Sequence, residues 1–236
     1  MKRYQGTYLV LILTLTLSGG ARSSGASGRD VAVLSSGPGS TVVEFTPRYL
    51  PVTSRKLGGG EYLRYDFEGS QSPAVNRPGA PDLSVRTFPL LLGSTVNRVE
   101  ILSEEYTDTS GILLMPAPDV IEADNVPAWS YRPDPSAYAA TGFLPSEIAV
   151  LADVGEVRGA IFGNLVIAPL RYDPGRKILR RYTRIVIRIS SDGPGAGLPA
   201  TDPMTAGIAI NDQRSAGAAA APVSAKRSGR LDTTVL

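Results

Sequence analysis

The chain has 236 residues, 24 Lys and Arg against 22 Asp and Glu, a formal net charge of +2, and neither histidine nor cysteine. Without imidazole or thiol there can be no Cys-His dyad, Ser-His-Asp triad, His- or Cys-held metal, or disulfide. The near-balance of charge gives no basic surface for nucleic acid or an anionic membrane.

Residues 1–21 have the layout of an export signal. Lys2 and Arg3 precede an apolar run from Tyr8 to Leu17, and the small residues Ser18, Gly19, Gly20 and Ala21 follow. The apolar run is about 10 residues, short of the ~20 that span a bilayer, so a cleaved signal is expected and not an anchor. The expected location is extracellular, reached through the periplasm, with no stable membrane insertion after signal removal.

Residues 22–40 are dominated by Ser and Gly and read as a flexible lead-in. Strand-like texture begins at Val42, Val43 and Phe45 and continues from Tyr62 to Phe67, with Gly58-Gly59-Gly60 as a hairpin connection between those pieces. A phosphate loop is a poor reading of these glycines, because no Lys-Ser/Thr follows and no helix opens. Leu90-Leu91-Leu92 and Ile112 to Met115 are short apolar runs bounded by Gly or Pro, as buried strands are. Trp129, Tyr131 and Tyr138 concentrate aromatic surface among Pro127, Pro133 and Pro135. They suit either an exposed platform or a lid over the core.

Residues 155–189 form two strand-like halves around Asp173-Pro174-Gly175, a turn sequence. The second half alternates, with Arg184 and Arg188 on one face and Ile185, Ile187 and Ile189 on the other. Pro169 cannot donate to a ladder and marks an edge or the end of the first half. No segment sustains helical periodicity. The expected fold is all-β, an antiparallel β-sandwich with long Pro/Gly-rich loops over residues 41–192. Residues 193–236, with Ala218 to Ala221 and the basic Lys226, Arg227 and Arg230, read as an exposed connector toward a downstream region.

The wording of 155–189 adds to this. A Gly-x-x-Arg-Gly opening, a Pro-x-x-Tyr-x-Pro centre and an alternating Ile close resemble the propeptide domain that precedes the catalytic domain of gingipain-like cysteine peptidases, family C25. Pro81-Asp82-Leu83 after Gly79, then Val99-Glu100-Ile101, Met115-Pro116-Ala117-Pro118, and Tyr138 with Gly142 and Phe143 follow the family's order. The likeness covers roughly residues 65 to 190.

The resemblance implies a non-catalytic domain that assists folding of an adjoining cysteine peptidase and masks its cleft until cleaved. That peptidase is the implied partner, in cis. No cofactor, metal or catalytic residue is expected in this chain. The implied peptidase-facing loop comprises Trp129, Tyr131, Arg132, Tyr138, Ala140, Thr141 and Phe143, and the implied processing residues are Lys226, Arg227 and Arg230. Family members place a basic side chain in an Arg-specific pocket, yet residues 138–143 carry no Lys or Arg, which counts against substrate-like inhibition. Arg132 and Arg158 are the nearest basic substitutes. The rival reading is an extracellular β-sandwich module that binds glycan or protein through Trp129 and its neighbours. The acidic pairs Glu104-Glu105 and Asp119 with Glu122 read as solvated charges, and the Ser54/Lys56 pair is unsupported as a dyad, while Asp212 in Asn211-Asp212-Gln213 offers too few oxygens for a calcium site.

Overall fold

A computed structural model describes residues 30–37, 39–72, 77–123, 126–192 and 208–212. Strand β12 (Ile178–Ser191) is the axis of the larger sheet. One of its edges carries β6 (Asn97–Ser110) from end to end. The other carries β11 (Leu170–Asp173) over Ile178–Arg181 and then β2 (Ser40–Phe45) over Ile185–Ser190. β1 (Val31–Gly37) lies outside β2, and every pairing is antiparallel. Tyr49 fills the gap between β11 and β2, its hydroxyl shared between the carbonyls of Pro169 at 2.9 Å and Tyr182 at 2.8 Å.

The second sheet is the antiparallel order β5 (Arg86–Leu92), β10 (Ala160–Ile167), β9 (Ala149–Val157). Two further hairpins stand apart from both sheets, β3 (Thr53–Leu57) with β4 (Gly60–Arg64), and β7 (Asp119–Ala123) with β8 (Val126–Ser130). The sheets meet through Val43, Phe45, Tyr182, Ile185 and Ile187 from one and Phe88, Leu90, Leu165 and Ile167 from the other, all in one buried cluster. Each Leu or Ile fully withdrawn from water contributes about 1.5–3 kcal/mol, so this interface dominates the stability. The result is the all-β sandwich expected from the alternation.

The alternation in β12 is realised as read. Ile185, Ile187 and Ile189 are buried, while Arg184 pairs with Glu44 and Glu105, and Arg188 with Glu100. The run around 155–189 divides differently from the two-halves reading. It contains the end of β9 and three further strands, and the break at Ala168-Pro169 is where the chain leaves β10 in one sheet and enters β11 in the other. The turn at Asp173-Pro174-Gly175 therefore closes β11 onto β12, whereas β10 pairs with β9 and β5. Arg158 and Gly159 make the two-residue turn between β9 and β10, both at positive φ, as the right-handed strand twist favours in tight hairpins.

Three boundaries need correction. The lead-in reading of residues 22–40 fails from Val31 on, because Val31–Gly37 pairs with β2 and Val31 is buried in the core. Cross-strand hydrogen bonds and one buried valine outweigh the local Ser/Gly composition. Gly58-Gly59 does turn a hairpin, but the strand it returns along is Thr53–Leu57, not the Val42–Phe45 piece. The connector reading of 193–236 fails at Ile208–Asp212, where Ala209, Asn211 and Asp212 are buried against the domain. The signal region 1–21 and the basic residues Lys226, Arg227 and Arg230 lie outside the described residues.

Candidate functional site

Two of the family-like pieces pair with each other and form the floor of the site. Asp82 N–H donates to Met115 O at 2.8 Å and Ala117 N–H to Ala80 O at 2.7 Å, with Pro81 opposite Pro116. Gly79 N–H donates to Ala117 O at 2.9 Å, and Gly79 O in turn accepts from Asp134 N–H at 2.9 Å. Residue 79 has φ +81°, and a Cβ there would stand 2.8 Å from the Arg132 carbonyl. Only glycine lets the 132–134 backbone approach this closely.

Trp129 sits on β8 opposite Val120, and the residue is 62% exposed. The strands β7 and β8 pair only with each other, and two-stranded hairpins are marginal alone in water. The chain then turns at Tyr131, whose ring lies under the Arg55 guanidinium at 4.7 Å. Arg132 is exposed. Asp134 caps the helical turn α1 (Pro135–Tyr138), its Oδ1 accepting from Ser136 N–H at 2.9 Å and Ser136 Oγ at 2.8 Å. The Ser136 bonds and Arg77 beside it hold this carboxyl below the usual range.

Tyr138 faces inward. Its hydroxyl donates to Leu114 O, its ring meets Tyr62 edge-on at 6.0 Å, and burial pushes its pKa up. Beside it the Tyr172 hydroxyl donates to Ile112 O at 2.6 Å, and burial raises it to about 12. Both phenols are therefore neutral anchors for residues 112–114, which do not form the strand expected of this apolar run but make an isolated bridge, Leu114 with Leu63.

The downstream half of the loop is tied to the β11–β12 turn. Ala140 O accepts from Gly175 N–H at 2.8 Å, and Gly142 N–H donates to Asp173 Oδ2 at 3.1 Å. Asp173 is fully buried and also accepts from Arg176 N–H at 3.0 Å and Arg176 Nε at 2.7 Å. Leu144 exchanges both backbone bonds with Tyr172 at 2.9 Å. Phe143 rests among Arg171, Arg176 and Arg180, with the Arg180 guanidinium 4.4 Å from its ring and 3.8 Å from that of Tyr106. Arg180 is fixed there by two 2.8 Å bonds to Asp108, which hold it charged.

The predicted loop is thus two structures. Ala140, Thr141 and Phe143 are brought together on the 173–176 turn, with Thr141 exposed, while Trp129 has no ring contact or hydrogen bond to Tyr131, Tyr138 or Phe143. Arg158 lies in the β9–β10 turn of the smaller sheet. The residues not anticipated are Asp173, Arg171, Arg176 and Arg180, which hold the loop. The turn sequence at 173–175 was the one visible signal for them. Among the described residues no three His, Cys, Asp or Glu side chains converge as a metal site would need, and no helix is long and apolar enough to cross a membrane. What the arrangement offers is an exposed Trp129 on a hairpin paired with neither sheet and a braced cation–aromatic ledge, which suit binding.

The Propeptide_C25 family matches residues 23–206. Over 120 residues the chain is 31% identical to gingipain R2 and 29% identical to gingipain R1 of Porphyromonas gingivalis. Those alignments take in 49% of this chain but only 16% and 12% of the two proteins. The fold resembles a chain of the complex of Porphyromonas gingivalis RgpB pro- and mature domains, with TM-score 0.65 and 24% identity over 78% of this chain and 98% of that one. It also resembles a structure described as giving insight into the zymogenic latency of gingipain K from the same organism, with TM-score 0.55 and 21% identity over 69% of this chain and 92% of that one.

Proposed function

The chain belongs to the Propeptide_C25 family, and from that premise we propose that it is the N-terminal prodomain of a secreted gingipain-like cysteine endopeptidase precursor. It assists folding of the peptidase and keeps it latent until the two are separated by proteolysis. The observation that carries this reading is the Propeptide_C25 match over residues 23–206, and the sandwich's likeness to a chain of a pro- and mature-domain complex agrees with it. The absence of His and Cys from the whole chain supports it, since the chemistry then resides in another region. The peptidase partner is in cis, the route is export across the inner membrane, and separation occurs at Lys226, Arg227 or Arg230.

The contact surface in this proposal is the segment from Trp129 to Phe143, with two roles divided along it. Trp129 on the β7–β8 hairpin supplies the anchor that is buried on binding, and the braced Ala140–Phe143 ledge supplies a rigid rim. No basic side chain occurs in 138–143, so aromatic burial and not an ion pair drives recognition. Refolding a C25 catalytic domain from denaturant with and without this chain tests the folding role. The proposal expects a higher yield of peptidase that becomes active once the chain is digested away. An unchanged yield would count against it.

A further inference from the structure

β5 is an edge strand of the smaller sheet, and its outward backbone groups face away from β10. Residues 89, 91 and 93 share that outward register, since partners alternate along an antiparallel pair. Pro89 is tolerated here because an outward position needs no N–H for the ladder. An open edge of this kind invites pairing with other chains.

The edge is closed by the chain itself. Ile210 N–H donates to Pro89 O at 3.0 Å. The Asn211 carboxamide then imitates a strand residue, with Oδ1 accepting from Leu91 N–H and Nδ2 donating to Leu91 O, both at 2.8 Å. Nδ2 also donates to Thr41 Oγ1 of β2 at 3.1 Å, so the side chain bridges both sheets. Ser191 Oγ, at the end of β12, accepts from Gly93 N–H at 3.2 Å. Ala209 packs with Leu91 and Ala160 under this clasp. Asn211 is itself buried, and a buried amide with its partners satisfied has a definite geometry.

We propose that Ile208–Asp212 is a latch, which seals the β5 edge through Asn211. A consequence for processing follows, and it rests on the prodomain reading above. A peptidase must hold several residues on each side of the scissile bond in extended form. Arg214 stands two residues after Asp212, so the latch withholds its upstream side from a basic-specific peptidase. Cleavage is thereby steered to Lys226, Arg227 and Arg230.

Trypsin digestion of the full chain, mapped by mass spectrometry alongside amide hydrogen exchange, tests the latch without any cognate peptidase. Its outcome is therefore independent of whether the chain inhibits a C25 enzyme. In the wild type, cleavage after Arg214 should be on the order of tenfold slower than after Lys226, Arg227 or Arg230, with the Leu91 amide protected. Asn211→Ala should bring Arg214 to parity and speed Leu91 exchange by ~10-fold, while Leu90 and Leu92, bonded to β10, stay protected. Asn211→Asp should do the same, because a carboxylate oxygen then faces the Leu91 carbonyl. Equal cleavage at all four residues in the wild type would overturn the latch, as would unchanged Leu91 exchange in both variants. Loss of protection at Leu90 together with Leu91 would overturn it too, since the segment would then be part of the core and not a latch.

Discussion

Gly142 donates its backbone N–H to the buried carboxylate of Asp173 at 3.1 Å, and this bond joins the end of the aromatic loop to the β11–β12 turn. Gly175 N–H to Ala140 O, 2.8 Å, closes the same junction from the other side. The end of the loop is therefore held by a charge and a backbone bond, in addition to the contacts of Tyr138 and Phe143.

The carboxylate gives this junction a pH dependence. Burial acts to raise the Asp173 pKa, but the Arg176 N–H, the Arg176 guanidinium and the Gly142 N–H outweigh it, and the net value is lowered. Asp108 is lowered as well, chiefly by its hydrogen bond from Arg180. A carboxyl depressed in the folded state adds stability above its unfolded pKa, about 3.9, and that stability is lost as pH falls through the folded value. The thermal midpoint should hold from pH 7 to about 5 and drop below about 4. Asp173→Asn should lower the midpoint at neutral pH and make the acid drop shallower, leaving the share due to Asp108 and Asp134, whose carboxyls are also lowered. A wild-type midpoint that climbs on acidification would contradict this.

Tyr138 and Trp129 should separate cleanly in urea denaturation. Tyr138→Phe removes the donor to Leu114 O and should cost about 1 kcal/mol, and Tyr138→Ala about 3 kcal/mol through lost packing against the core. Trp129→Ala, at a 62% exposed position, should change stability by no more than ~0.5 kcal/mol. Equal losses at both positions would mean that Trp129 is packed.

Gly175→Ala should loosen the loop. The new Cβ would meet the Ala140 carbonyl oxygen at 2.9 Å, and backbone cannot move aside as a side-chain tip can. A cost of about 1–3 kcal/mol is expected in denaturation. Faster exchange at the Gly142 and Gly175 amides should accompany it. An unperturbed Gly175 amide would show that the junction is not close-packed.

On β12 the two faces should respond very differently. Ile187→Ala should cost about 2–5 kcal/mol, because the residue is fully buried between the sheets. Arg188→Ala, which breaks an exposed pair with Glu100, should cost under about 1 kcal/mol. Comparable losses would mean that the strand is turned over.

That facing could be read in the sequence, because a half-buried strand imposes a period of two on Ile185, Ile187 and Ile189. Asp173-Pro174-Gly175 was legible as a turn for the same local reason. What local pattern cannot carry is partnership. Val31–Gly37 looks like linker until β2 is beside it, and Pro169 marks a break without saying that the chain changes sheets there. Trp129 and Tyr138 are alike in composition, and only the Leu114 carbonyl beneath one of them decides which ring is anchored. Asn211 was invisible for a related reason, since its role is to stand in for a strand backbone 120 residues away.

Titrating a mature C25 peptidase with the pure chain tests latency most directly. Peptide hydrolysis should fall with increasing chain and recover once the chain is degraded. Trp129→Ala should raise the inhibition constant by ~30-fold, equivalent to about 2 kcal/mol at an anchor residue, while the variant remains folded. Full hydrolysis at saturating wild-type chain would contradict the prodomain account, and inhibition untouched by Trp129→Ala would move the contact surface elsewhere.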